Sequence, residues 1–405
     1  MDKLFEMNGF DFVEDTDNSV VKKYTGNERE VVVPANVCEI GEKAFEGNEL
    51  LECITFESVK ITIGNFAFIG CKNLARVIFK GEISSLGRCA FAYCESLGSI
   101  SIPDSVEVID DGVFLNCKNL TSVKLPEKLS AIPQAMFLNC CSLAEIKIPE
   151  TVKVIGNHAF GECRSLREID LPESVVAIET GAFKNCISLS DITIRGNLKN
   201  CGANIFENIR ELNFHLTPKS RCKRLVRDNT SLKRVSVTGK GAQISECMFH
   251  HCEGLQKVTI ADGITKIDDG AFDCCYQLAE ISIPDSVKGI GRMSFAFCIE
   301  LGEIDLPSGL KSIAEYSFMR CSDLDNVVLP SSVEVIGESA FLGCESLCTI
   351  SIPDSIRIVE KDAFSQCPQL DSLPERFAVS DSDLDNEKDA DFDFEQVWFY
   401  NEIRW

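Results

Sequence analysis

Cysteine and histidine are the residues of this chain whose type and spacing could support chemistry. The stretch CMFHHC brings Cys247, His250 and His251 together, and Cys274 stands one repeat later in the same phase as His251. Thiolate and imidazole groups are the usual ligands of zinc. The spacing matches no standard zinc finger, so these four residues are a weak candidate metal site, and no cofactor is predicted.

Catalytic signatures are missing from the remainder of the sequence. The chain has four histidines, and it contains no His-Glu-x-x-His, no Gly-x-x-x-x-Gly-Lys and no Gly-x-Ser-x-Gly motif. Neither metal-assisted hydrolysis nor phosphate binding is therefore indicated. We predict that the protein is not an enzyme.

Most of the 21 cysteines belong to a repeat of 23 residues. One cysteine stands in the same phase of twelve repeats: 71, 94, 117, 140, 163, 186, 252, 275, 298, 321, 344 and 367. Three positions earlier comes phenylalanine, at 45, 68, 91, 114, 137, 160, 183, 206, 249, 272, 295, 318, 341 and 364, with Val226 in the same slot. Leucine follows the phenylalanine slot by six positions in all fifteen coils, and the coil from 206 to 226 is only 20 residues long. A cysteine repeated in every coil is a packing position, because cysteine is small and often buried.

A period of this length predicts a repeat solenoid, in which each unit stacks on its neighbours to bury its apolar face. The segment L-x-x-I-x-I has the alternation of a strand and ends at a proline, as in Leu97, Ile100, Ile102 and Pro103. We expect one short parallel strand per coil and a return side that is short and extended or 3₁₀, so the fold is mostly β.

The unit resembles the BspA-type leucine-rich repeat, C-x-x-L-x-x-I-x-I-P-x-x-V-x-x-I-G-x-x-A-F, over about residues 31 to 373. The resemblance implies a leucine-rich-repeat arc. It also implies protein binding, because many members of that family are surface proteins that act in adhesion and protein binding. The chain departs from the unit at Asn48, Ile209 and Asn229, where cysteine is expected.

The repeat phase divides the chain into four parts. We predict a hairpin-like N-terminal cap at 1–30, a solenoid of about 15 coils at 31–373 with an irregular coil at 206–226, an acidic linker at 374–395 and an aromatic segment at 396–405. The aromatic segment is either a cap on the last coil or a docking motif for a partner.

Charge and hydropathy restrict the partners and the location. The net charge of −23 argues against nucleic acid and anionic membranes, which are polyanions. No apolar stretch suits a secretory signal or a bilayer span. We expect a cytoplasmic monomer with a protein partner, and the extracellular surface is the alternative location.

Two groups of outward-facing residues are candidate partner-binding sites. The sheet-face group lies between the inward residues of the strands: Glu145, Glu168, Asp170, Asp191, Lys257, Glu280, Glu303 and Asp305. The basic group lies around the irregular coil, in a segment from Arg210 to Lys240 that holds nine basic and two acidic residues: Arg210, Lys219, Arg221, Lys223, Arg224, Arg227, Lys233 and Arg234. An intracellular scaffold and an exported adhesin are the two functions that fit such surfaces.

Overall fold

The computed structural model describes residues 4–7, 9–15 and 18–370. In this part of the chain every regular element is a β-strand, and the strands repeat coil after coil. The predicted solenoid is therefore confirmed. The predicted acidic linker and aromatic segment lie outside the described residues.

Three strands precede the first coil: β1 (Leu4–Met7), β2 (Phe10–Asp15) and β3 (Asn18–Tyr24). β1 pairs antiparallel with β2, and β2 pairs antiparallel with β3. β3 then pairs in parallel with the first coil. These strands occupy the part of the chain for which a hairpin-like cap is predicted.

One side of each coil contributes a strand to what we call the front sheet. These strands are β4 (Glu30–Val33), β6 (Cys53–Phe56), β8 (Arg76–Phe79), β10 (Ser99–Ser101), β12 (Ser122–Lys124), β15 (Glu168–Leu171), β17 (Asp191–Ile194), β20 (Glu211–Leu216), β22 (Arg234–Thr238), β24 (Lys257–Ile260), β26 (Glu280–Ser282), β28 (Glu303–Ile304), β30 (Asn326–Val328) and β32 (Thr349–Ser351). Where they pair with one another, they pair in parallel. Because side chains alternate along a strand, Ile169 and Leu171 of β15 are buried while Glu168 and Asp170 face solvent.

A second side forms the back sheet. Its strands are β5 (Val37–Ile40), β7 (Lys60–Ile63), β9 (Glu82–Leu86), β11 (Val108–Ile109), β13 (Ala131–Ile132), β14 (Val154–Ile155), β16 (Ala177–Ile178), β18 (Asn197–Leu198), β19 (Asn200–Cys201), β21 (Arg221–Cys222), β23 (Gln243–Ile244), β25 (Lys266–Ile267), β27 (Gly289–Ile290), β29 (Ser312–Ile313), β31 (Val335–Ile336) and β33 (Ile358–Val359). The return of the coil is thus extended, and no 3₁₀ segment occurs in the described residues.

The third side, here called the turn side, contains the phenylalanine and the cysteine of the repeat. In every coil the residues two before and two after the phenylalanine slot have φ between 51° and 74°. This left-handed conformation is strained for most residues but tolerated by glycine and asparagine. It explains why the later position is often one of these two, as at Gly47, Gly70, Asn116, Asn139, Asn185, Asn208 and Gly343.

Hydrogen bonds on the turn side join each coil to the next. Between the coils of Phe68 and Phe91, the N–H groups of Phe66, Phe68 and Gly70 donate to the next coil at 2.8, 2.8 and 2.9 Å. The intervening N–H groups close turns within their own coil. The backbone is therefore hydrogen-bonded without a helix, as buried polar groups require.

The core is a stack of phenylalanine rings. Neighbouring rings lie 4.7 to 6.0 Å apart from Phe45 to Phe206, and 5.2 to 5.5 Å apart from Phe249 to Phe364. Between the two runs Phe214 of β20 packs edge-on against Phe206 at 6.3 Å and Phe249 at 5.7 Å. A strand residue therefore fills the space that the irregular coil, with Val226 in the slot, leaves open.

The repeated cysteines do more than fill space. Each thiol donates a hydrogen bond of 3.0 to 3.3 Å to the carbonyl oxygen of the phenylalanine slot in the preceding coil. Burial raises the pKa of Cys71 and Cys252 to about 12, so these thiols remain protonated donors at neutral pH. Asn229, which departs from the repeat, supplies the same bond through Nδ2 at 2.9 Å from the Phe206 oxygen.

Candidate functional site

The solvent-facing residues of the front sheet form straight rows across neighbouring strands. In one row Glu168 lies opposite Asp191, and in the next Thr193 lies opposite His215. Parallel strands are spaced about 4.8 Å apart, so each row brings side chains of different coils within contact distance. A molecule lying on this face would therefore contact several coils at once.

The first depression on this face is open and has a volume of about 650 Å³. Four carboxylates of the predicted sheet-face group line it, at Glu145, Glu168, Asp170 and Asp191. Arg195 neutralises part of this charge, because its guanidinium contacts Asp170 at 2.7 and 2.8 Å. Among the described residues Glu145 and Glu168 have no cationic partner.

The depression coincides with a break in the front sheet. No front-sheet strand forms between β12 and β15, and the backbone of residues 145–148 makes no hydrogen bond within the described part of the chain. Val123 and Ile146 are half-buried here, whereas Ile169 and Ile192 of the neighbouring strands are 2% and 0% exposed. The acidic rim therefore surrounds an apolar floor.

A polar chain runs from this depression along the face. His215 Nε2 lies 3.2 Å from Asp191 Oδ1, and His215 Nδ1 lies 2.9 Å from Thr238 Oγ1. Hydrogen bonds from Ser190 and His215 lower the pKa of Asp191. A carboxylate, an imidazole and a hydroxyl in this order resemble a catalytic triad. The backbone N–H groups of these strands are paired within the sheet and are not free to bind an oxyanion, and His215 is held between Asp191 and Thr238.

The second depression has a volume of about 260 Å³ and collects the other four predicted residues, Lys257, Glu280, Glu303 and Asp305. It too lies at a break, because β26 and β28 belong to different sheets. Lys257 pairs with Glu280, which leaves Glu303 and Asp305 without a cation among the described residues. The structure thus sorts the sheet-face residues into two acidic depressions. Neither break is marked by the sequence, since EIKI at 145–148 differs little from EIDL at 168–171.

Comparison with known proteins identifies the repeat. The family model for the BspA-type leucine-rich repeat region matches residues 23–143, 131–255 and 242–371. These matches cover most of the chain. The chain belongs to the BspA-type leucine-rich repeat family.

Solved structures of other leucine-rich repeat proteins are similar to this BspA-type chain. A leucine-rich cell surface protein from Faecalibacterium prausnitzii is 28% identical, with 91% of this chain and 93% of that chain covered and a TM-score of 0.46. A leucine-rich repeat protein from Bacteroides ovatus is 23% identical, with 90% of this chain and 92% of that chain covered and a TM-score of 0.46. One from Eubacterium ventriosum is 20% identical, with 92% of this chain and 96% of that chain covered and a TM-score of 0.33. None of the curated proteins compared with the chain is significantly similar to it.

The predicted basic group is spread over all three sides of the BspA-type coils. Arg210, Lys233 and Arg234 lie at or just before front strands, Lys219 and Arg221 lie around the turn into the back sheet, and Lys223, Arg224 and Arg227 lie on the turn side. Four of the eight are in ion pairs of 2.5 to 2.9 Å: Lys219 with Glu173, Lys223 with Glu246, Arg227 with Asp228 and Arg234 with Glu211. Partner binding by this group stays a prediction.

The weak candidate metal site is occupied by internal contacts. His250 Nδ1 lies 3.1 Å from Asp273 Oδ2, and the Cys274 thiol donates to the other oxygen of Asp273 at 3.4 Å. Burial raises the pKa of Cys247 to about 11. In the part of the chain that the structure describes, no three histidine, cysteine or acidic side chains are placed to hold a metal ion. No helix that could cross a membrane occurs there either.

Proposed function

We propose that this BspA-type protein is a non-enzymatic scaffold that binds a partner protein along its front sheet. The observation that carries the proposal is the first depression, where the unpaired carboxylates of Glu145 and Glu168 surround the apolar floor of Val123 and Ile146. Proteins of this family and fold are typically scaffolds, which agrees with the open face.

The chemistry of the depression favours a partner that presents lysine or arginine. Such side chains cover apolar surface with their aliphatic stems while the charged ends reach carboxylates. A single exposed ion pair contributes only about 0–1 kcal/mol, so affinity requires several contacts at once. The second depression supplies further contacts for the same partner, since it lies on the same face. β17 and β28 are five strand spacings apart, about 24 Å.

Charge reversal tests the proposal. In the variant Glu145→Lys, Glu168→Lys the depression loses its unpaired carboxylates, and both residues are exposed, so folding is unaffected. The matched control is Glu253→Lys, Glu300→Lys, which makes the same change in net charge at exposed positions on the turn side. Immobilised wild-type protein and the two variants are incubated with lysate of the native cell, and captured proteins are quantified by mass spectrometry.

The proposal predicts a partner that wild type and control capture equally, that the face variant loses at least about tenfold, and that elutes as salt rises. Equal capture by the face variant would show that the front sheet is not the binding surface. The location of the native protein decides the setting: recovery from the cell surface would favour the adhesin, and recovery from the cytoplasm the intracellular scaffold.

A further inference from the structure

The first three front strands carry aliphatic side chains on their outward face. Val32, Thr55 and Ile78 lie opposite one another on β4, β6 and β8. Val32 is 53% exposed and Ile78 is 43% exposed. We call these three residues the apolar row. In the next six coils the same position is polar or charged, at Ser101, Lys124, Lys147, Asp170, Thr193 and His215.

The apolar surface continues at the edge of β8. Val77 and Phe79 take the inward positions of this strand, yet both are only half-buried. The equivalent residues of β6, Ile54 and Phe56, are 0% and 1% exposed. β8 has no strand partner on its far side, because β10 belongs to a different sheet. An exposed apolar patch of this kind marks a site of interaction.

The charged side chains beside the apolar row are paired within the chain. Three ion pairs of 2.7 to 3.1 Å join them: Arg76 with Glu30, Arg29 with Glu52 and Lys80 with Glu57. Their charges cancel, in contrast to the unpaired carboxylates of the first depression. The molecule that covers the row must therefore match an apolar surface with balanced charges.

A second copy of this chain provides such a match. When two copies face each other across a two-fold axis that runs along β6, β4 of one copy lies opposite β8 of the other. Val32 then meets Ile78 of the second copy. Glu30 and Arg76 occupy the same position on β4 and β8, so Glu30 meets Arg76 of the second copy. The patch is thus complementary to itself in both its apolar and its charged row.

The place of the apolar row in the array keeps repulsion low. The net charge is −23, so two copies repel each other where their acidic surfaces meet. Glu145 of the first depression lies four coils beyond the coil of β6, about 19 Å from the two-fold axis. The first depressions of the two copies lie on opposite sides of this axis, about 38 Å apart, well beyond the screening length of about 8 Å.

We propose that the apolar row is the contact of a two-fold symmetric homodimer, in place of the monomer expected from the sequence. Three short strands offer a small surface, so the dimer is weak and forms as the protein concentration rises. This contact is separate from both depressions of the front sheet and does not depend on the proposed function.

Sedimentation equilibrium of the full chain tests the proposal across about a hundredfold range of concentration. Wild type should shift toward twice the mass of the chain. Val32→Asp places a carboxylate against an apolar side chain of the second copy and should raise the dissociation constant at least about tenfold. The matched control is Val328→Asp on β30, where the valine is 60% exposed on the same sheet, and it should associate like wild type.

An exchange of charges tests the two-fold arrangement itself. Arg76→Glu and Glu30→Arg each place like charges opposite one another, so each variant alone should associate at least about tenfold more weakly than wild type. An equimolar mixture of the two variants should recover association as a heterodimer, because every facing pair then has opposite signs. The exposed ion pair that each variant loses contributes only about 0–1 kcal/mol, and circular dichroism checks that the fold is kept.

Three results would each overturn the proposal. Wild type that stays monomeric over the whole range would leave the apolar row to a different protein. Association of Val32→Asp as tight as that of wild type would place the contact elsewhere. A mixture of Arg76→Glu and Glu30→Arg that associates no better than its components would contradict the two-fold arrangement.

Discussion

Two junctions of the solenoid show what the repeat requires and what it can lose. Between Phe160 and Phe183 the rings stack in parallel 5.3 Å apart, Cys186 donates to the Phe160 oxygen at 3.0 Å, and three backbone bonds close the turn side. Between Phe206 and Val226 the stack turns edge-on, an asparagine replaces the thiol, and the backbone bonds are missing.

The difference shows that the front sheet stays hydrogen-bonded where the length of the repeat changes. Ile192 lies opposite Phe214, and Phe214 lies opposite Val237. In an unbroken repeat the residue in line with Ile192 in the coil of Val226 would be Val235, two positions earlier than Val237. The sheet thus absorbs a register shift while its inward residues stay buried. The turn side cannot do this, because its hydrogen bonds depend on the full length of the turn.

The largest expected effect is in the regular core. Phe272→Ala removes a ring stacked between Phe249 and Phe295, and it should lower the free energy of unfolding by about 3–5 kcal/mol. The irregular coil should be more tolerant: Val226→Ala should cost about 2 kcal/mol, because only two buried methyl groups are lost.

Urea denaturation measures both values, with a change at exposed Ser282 as a nearly neutral control. A loss below about 1 kcal/mol for Phe272→Ala would show that the phase assignment is wrong. Equal losses at Phe272 and Val226 would remove the contrast between the two junctions.

An intermediate effect is expected where asparagine replaces the thiol. Asn229 is 8% exposed, its Nδ2 bonds the Phe206 oxygen, and its Oδ1 accepts from the N–H groups of Ser231 and Leu232. Asn229→Ala leaves buried groups without partners and should cost about 1–3 kcal/mol. Asn229→Cys restores the donor of regular coils and should retain most of the stability. Thermal unfolding of both variants checks this, and equal losses would mean that the donor at this position is unimportant.

A smaller effect concerns pH and the coil of His251. Burial and the neighbouring His250 lower the pKa of His251, so the folded protein binds fewer protons there than the unfolded chain. The contribution of neutral His251 to the free energy of unfolding is therefore complete above the pKa of histidine in the unfolded chain, near 6.5, and is lost as the pH falls below that value. His251 also has a φ of 56°, which asparagine tolerates.

His251→Asn should therefore reduce the loss of stability between pH 7 and pH 5.5 without destabilising the protein at pH 7. Melting temperatures across this range measure the effect, with Asp191→Asn as a control that changes a carboxylate of the distant first depression. An unchanged pH dependence in His251→Asn would show that another group is responsible.

The sequence predicted the fold because the pattern is periodic. Phenylalanine, leucine and cysteine recur in phase, so each coil supports the assignment of inward and outward positions made for the coil before it. The outward direction of residues such as Glu168 and Asp305 followed from the same alternation. The hydrogen bond donated by each repeated thiol did not, because spacing shows that a position is buried but not which carbonyl lies beside it.

The openings of the ladders also could not be predicted. Residues 145–148 match the repeat in every position that periodicity tests, yet they form no strand with β12 or β15. The change of coil length after Phe206 was visible, but the sequence did not show which side of the coil would open. Register in the front sheet decided that, and it is a property of the packed array.

Residue-resolved amide hydrogen exchange tests most directly the claim that this solenoid opens at defined places. The amides of Phe206 and Asn208, at the junction between the coils of Phe206 and Val226, and of Ile146 in the first depression should exchange at least about tenfold faster than those of Phe183 and Ile192, which lie in closed ladders. Equal protection at these five amides would contradict the account, because the solenoid would then be closed along its whole described length.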